Sequence, residues 1–76
     1  MNINNLIEMA NDIGNYFKSE PDHEEAVLGI ATHMQRFWED RMIKQIVAYL
    51  DEGGEDLSPT VKEAISKLKA SMVETD

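Results

Sequence analysis

Two arginines flank the only tryptophan of this chain, in the run Arg36-Phe37-Trp38-Glu39-Asp40-Arg41-Met42. A guanidinium group binds carboxylates and phosphates through a planar, bidentate fork. Trp, Tyr and Arg also dominate the energetic centres of protein interfaces. The chemistry that this run offers is therefore recognition. The bland alternative is that Arg41 pairs with Glu39 or Asp40 on the surface, which contributes little.

Material for catalysis is thinner. His23 and His33 are the only histidines. At ten positions apart they point about 80° away from each other on a helix, so they do not share one ion. His33 lies at the edge of an apolar stripe, where a packing or partner-facing role is the simpler reading. Paired carboxylates occur at Glu24-Glu25, Glu39-Asp40, Asp51-Glu52 and Glu55-Asp56. All four pairs fall at expected helix ends or turns, where water solvates them, whereas acid–base catalysis needs a carboxyl group shifted by burial or a neighbour. The segment from Asp51 to Lys62 has the length of a calcium loop but places Asp56 where Gly is needed and Lys62 where Glu is needed. Gly53-Gly54 lacks the following Lys of a phosphate-binding loop. No catalytic, cofactor-binding or metal-ligating residue is assigned.

The elements that must position the aromatic corner are helices. Spacing residues about 100° apart places Ile3, Leu6, Ile7, Ala10, Ile13, Gly14 and Phe17 on one arc, predicting a first helix from about Asn5 to Lys18. Gly14 on that arc admits a close neighbour. Pro21 disfavours helix at Glu20, and Asp22 with Glu25 forms a capping-box-like start for a second helix from His23 to Trp38. Ala26, Val27, Ile30, Ala31, Met34, Phe37 and Trp38 are its expected buried face. Asp40 is the expected N-cap of a third helix over Arg41 to Glu52, with Met42, Ile43, Ile46, Val47 and Leu50 inward. Gly53-Gly54 ends it. Ser58 and Pro59 then occupy the N-cap and N1 positions of a fourth helix carrying Val61, Ala64, Ile65, Leu68 and Met72. Residues 73–76 are expected to fray. The fold class is all-α: residues 1–76 form a small single-domain bundle of about four short helices. Of the five methionines, Met34, Met42 and Met72 are core fillers. Tyr16, Leu28, Tyr49 and Met9 lie beside their stripes and are either scattered surface apolars or part of a docking surface.

Composition narrows the partners. The 76 residues carry 15 acidic and 7 basic side chains, a net charge of −8, and no cysteine. Nucleic acid and anionic membrane surfaces repel such a chain, while a basic protein surface attracts it. Disulfides, thiolate clusters and a Cys nucleophile are excluded. The N-terminal segment has neither the basic region nor the apolar run of a signal peptide, so a cytoplasmic location is expected.

The chain also resembles the delta subunit of cytoplasmic NAD-dependent formate dehydrogenase. The resemblance rests on Met9-Ala10-Asn11 with Phe17, Glu24-Glu25-Ala26, Gly29-Ile30-Ala31-Thr32-His33, and Phe37-Trp38 followed by Arg41-Met42. It continues through Gly53-Gly54, Leu57, Pro59, Val61 and Ala64. The order Phe-Trp-x-x-Arg-Met, then Gly-Gly-x-x-Leu-x-Pro, is its most specific part. Where related chains read Trp-Asp-Pro-Arg, this one has Trp38-Glu39-Asp40-Arg41, so the corner depends on Asp40 capping.

The resemblance implies a non-catalytic accessory subunit that binds the catalytic alpha subunit and supports assembly, cofactor insertion or stability. The molybdenum- or tungsten-pterin, iron–sulfur clusters and FMN would all reside in the partner subunits. Phe37 is expected to anchor the corner from within, and His33, Arg36, Trp38 and Arg41 to meet the partner. Self-association through the same surface is an open alternative. The competing reading is an acidic protein-binding module, a decoy for a basic nucleic-acid-binding surface, unrelated to formate oxidation.

Overall fold

Asn2 opens the first helix: its Oδ1 accepts the Asn4 N–H at 2.8 Å, and α1 runs over Ile3–Tyr16. In this computed structural model residues 2–74 are described, with the side chains of 72–74 outside the described set. Three more helices follow, α2 over His23–Phe37, α3 over Asp40–Asp51 and α4 over Pro59–Glu74. The bundle is all-α, and no strand occurs among the described residues.

The helix boundaries show which local signals act. Asp22 caps α2, its Oδ1 accepting the Glu24 and Glu25 N–H groups at 3.0 and 3.4 Å. This satisfies donors that a helix start leaves open. The Asp22 N–H donates to Glu20 Oε1 rather than to Glu25, so only half of a capping box forms. Gly53 and Gly54 both have positive φ, 126° and 56°. Their N–H groups donate to the carbonyls of Leu50 and Tyr49, the pairing of a Schellman stop. Pro59 is the first residue of α4, as its missing N–H favours. The fourth helix continues through Glu74; residues 75 and 76, the end of the tail expected to fray, lie outside the described residues. The expected core position Met72 has its side chain outside the described residues.

The start of α3 differs from expectation. Asp40 is not its N-cap: that position belongs to Glu39, whose side chain makes no capping bond, and Asp40 is the first helical residue. The Glu39 carbonyl takes the Met42 and Ile43 N–H groups at 2.9 and 3.1 Å. As an acid in the first turn, Asp40 still complements the positive end of the helix dipole.

Leu6, Val27, Ile30, Met34, Ile46, Val61 and Ile65 are fully buried and draw on all four helices. The most extensive helix pair is α2 with α4, and α4 also touches α1 and α3. The seam between α1 and α4 is close. A Cβ added at Gly14 would lie 2.6 Å from Val61 Cγ2 and 3.5 Å from Ser58 Oγ. One turn earlier, Asn11 grips the connection before α4. Its Nδ2 donates to the Asp56 carbonyl at 2.8 Å and its Oδ1 accepts the Ser58 N–H at 3.1 Å. Leu57, between those two contacts, is buried. At the other end Lys69 Nζ meets Asp51 Oδ1 at 2.6 Å, joining α4 to α3.

Gly14→Ala tests the seam. Alanine favours a helix by about 1 kcal/mol over glycine, but Val61 is a stiff, fully buried neighbour, and overpacking costs about 1–3 kcal/mol. The expected result in urea unfolding is a net destabilisation of about 1 kcal/mol where an open helical site would show a gain.

Candidate functional site

The corner between α2 and α3 consists of Trp38 and Glu39 alone. Phe37 ends the helix; Trp38 follows with φ −92° and ψ 141°, an extended conformation, its N–H still donating to the Met34 carbonyl at 2.8 Å. That change of backbone exchanges the expected roles of the two rings. Trp38 retains 7% of its surface exposure and belongs to the core, whereas Phe37 retains 71%. Extrapolating the helical period through both residues assigned both to the buried face. Because the helix stops after Phe37, Trp38 takes the interior place and Phe37 is left outside. Phe37 is thus not the internal anchor, and the ring expected to face outward, Trp38, lies in the core.

The remaining expected contact residues lie nearer the surface. His33 and Phe37, one helical turn apart, stack with ring centroids 4.7 Å apart and planes tilted by 39°. Arg36 is exposed beside them. Arg41 is exposed at the start of α3, with its guanidinium 4.0 Å from Glu39 Oε1. Both of those side chains are largely solvated, so this pair holds the corner only weakly. The structure therefore brings His33, Arg36 and Phe37 together on the outside of α2, withdraws Trp38, and sets Arg41 across the corner.

Two features of the same side escaped sequence reasoning. Gly29 stands one turn before His33, and the Phe17 ring fills the space over it: an added Cβ would meet Phe17 Cε1 at 2.5 Å. Phe17 in turn packs edge-to-face against Tyr16, with centroids 5.1 Å apart and planes at 85°. The signal was the spacing Gly29, His33, Phe37, a row of every fourth residue that lies along one line of a helix. Beyond Phe17 a groove of about 430 Å³ opens between the α1–α2 turn and the start of α4, with Gly14, Phe17, Pro21, His23, Ser58 and Thr60 among its lining. His23 Nε2 lies 2.9 Å from Glu63 Oε2, linking α2 to α4 at exposed positions.

Among the described residues no group of three or more His, Asp or Glu is placed to hold a metal ion. Nor is any helix long and apolar enough to cross a membrane. The class defined by fold and surface is a small all-helical domain whose chemistry-bearing side chains lie outside the core. Over residues 5–65 the chain matches the family described as NADH-dependant formate dehydrogenase delta subunit, FdsD. That span takes in α2, α3 and nearly all of α1, and the chain belongs to this family. Comparison with curated proteins and with solved structures gives no match.

The exchanged rings are separable by mutation. Trp38→Ala empties a core position, and truncations of this kind cost about 3–5 kcal/mol, a large share of the stability of so small a domain. Phe37→Ala removes an exposed ring and is expected to shift stability by no more than about 0.5 kcal/mol. Thermal unfolding followed by circular dichroism distinguishes the two.

Proposed function

We propose that this chain is a non-catalytic accessory subunit of an NAD-dependent formate dehydrogenase. It docks on the molybdopterin-containing catalytic subunit in the cytoplasm and supports assembly, cofactor insertion or stability of the complex. The observation that carries this reading is the family match over residues 5–65. The surface supports it: exposed aromatic and arginine side chains gather on one side of α2, the residue types that interfaces favour. In this reading formate oxidation, the pterin metal, the iron–sulfur clusters and FMN belong to the partner subunits. The contact residues are His33, Arg36, Phe37 and Arg41, with Trp38 supporting the corner from inside.

Affinity capture of the tagged chain from its native host, at moderate and at high salt, tests the proposal. The expected outcome is retention of the molybdopterin subunit at both salt concentrations. Recovery of basic proteins alone, lost as salt rises, would replace this reading with an acidic decoy held by long-range charge. Stoichiometric metal or pterin in the purified chain would overturn its assignment as non-catalytic.

A further inference from the structure

The exposed side of α2 is complementary to itself. At about 100° per residue, Glu25, Leu28, Thr32 and Arg36 fall within an arc of about 80°. That arc lies opposite the buried residues of the helix, and all four side chains are exposed. Glu25 and Arg36 stand eleven positions apart, so they share nearly one line at a separation of about 16 Å and do not reach each other. Among the described residues neither enters an ion pair. The helix dipole favours an acid at the start and a base at the end, which accounts for the sign at each end. It does not account for what lies between. Residues 26–38 contain no acid, Leu28 is 48% exposed there, and the half-buried Phe17 ring of α1 reaches the same stretch by covering Gly29.

We infer that the free chain pairs with a second copy of itself through α2, the two helices antiparallel about a two-fold axis midway between Ile30 and Ala31. Along the helix Glu25 and Arg36 each lie about 8 Å from that midpoint. The two-fold therefore sets Glu25 of each copy against Arg36 of the other, twice over. Between these pairs Leu28 of each copy lies over His33 of the other, closing the apolar centre.

Charge fixes both the occupant and its direction. The start of the line is acidic, with Glu24 and Glu25 side by side. The far end is neutral by count, Arg36 and Arg41 against Glu39 and Asp40, and those two acids follow the end of α2, where the chain has turned into α3. A parallel copy would set Glu25 beside Glu25 and Arg36 beside Arg36, which opposes association. The antiparallel copy sets each acid on an arginine. Opposite charges at equal distances from one centre are what a two-fold interface requires, whereas a partner of different sequence has no such need. The net charge of −8 on each copy acts against pairing, but salt screens it beyond about 8–10 Å, while the Glu25–Arg36 pairs meet at contact. One helix pair makes a small interface of the transient class. The inference concerns the free chain and stands apart from the accessory-subunit reading. His33 and Arg36 recur in both surfaces, so a docked catalytic subunit would displace the second copy.

Charge exchange tests the pairing. Sedimentation equilibrium of the purified chain should show a monomer–dimer equilibrium with a Kd between about 10 μM and 1 mM. Glu25→Arg and Arg36→Glu, each checked for folding by circular dichroism, should each weaken self-pairing by more than about tenfold, because each sets like charges together at two places. Mixed in equal amounts, the two variants should form a mixed dimer of about wild-type affinity, since opposite charges then face each other at both ends. Leu28→Glu, at an exposed site that folding does not depend on, should abolish pairing and gain nothing from either charge variant. A wild-type chain that stays monomeric to about 1 mM would overturn the inference and leave the accessory-subunit reading untouched. Single variants that pair as the wild type does would overturn it as well. So would weakened single variants that fail to rescue each other, because only the antiparallel register predicts that rescue.

Discussion

The distance between α1 and α4 is the constraint on which this domain depends. Four short amphipathic helices have no disulfide to hold them, and each has too narrow an apolar stripe to be stable alone. The last helix contacts all three others, so its placement determines whether the core closes. Gly14 lets Val61 approach to where a side chain would otherwise stand, and Asn11 fixes the chain just before α4 by binding one carbonyl and one N–H. Both residues lie on α1, one turn apart. A single stretch of the first helix thereby fixes both the spacing and the entry point of the last.

The corner between α2 and α3 divides its aromatic pair between core and surface. Adjacent residues on a continuing helix point about 100° apart, and a wide apolar face accommodates both. Ending the helix between them separates their fates: one ring enters the core and the other stands in solvent. The short connection leaves no room for a flexible loop, so the exposed ring is held on a helix terminus with His33 against it. An exposed ring fixed in this way has little conformational entropy left to lose in any contact. The missing proline of related chains is not replaced by a side-chain cap at Asp40. The α3 start relies on the Glu39 carbonyl, the packing of Trp38 and Ile43, and an acid in the first turn.

Much of this was legible because the signals are local. Asp22, Pro59 and the Gly53-Gly54 pair each act within a few residues of the boundary they define, and apolar spacing identified Ile30, Ile46 and Ile65 as core. The errors at the corner are of one residue. Periodicity identifies a helix well but not its last position, and one residue decided which of Phe37 and Trp38 was buried and whether Glu39 or Asp40 stood at the cap. Asn11 was illegible for another reason: its partners lie 45 and 47 positions away, and a lone asparagine in a helix carries no mark of what it will hold. Gly29 lay between these cases, since its spacing from His33 and Phe37 was visible but the ring that covers it came from another helix. The exposed side of α2 was readable in kind, aromatic and arginine-bearing, though not in which of the two corner rings it carries.

The burial of Trp38 has a spectroscopic consequence. It is the sole indole of the chain, and it sits inside, so intrinsic tryptophan emission reports the packing of the core and little of what happens on the outer side of α2. Of the two tyrosines, Tyr16 is open to solvent and Tyr49 is half-buried. The indole thus serves as a natural optical reporter on the integrity of the bundle.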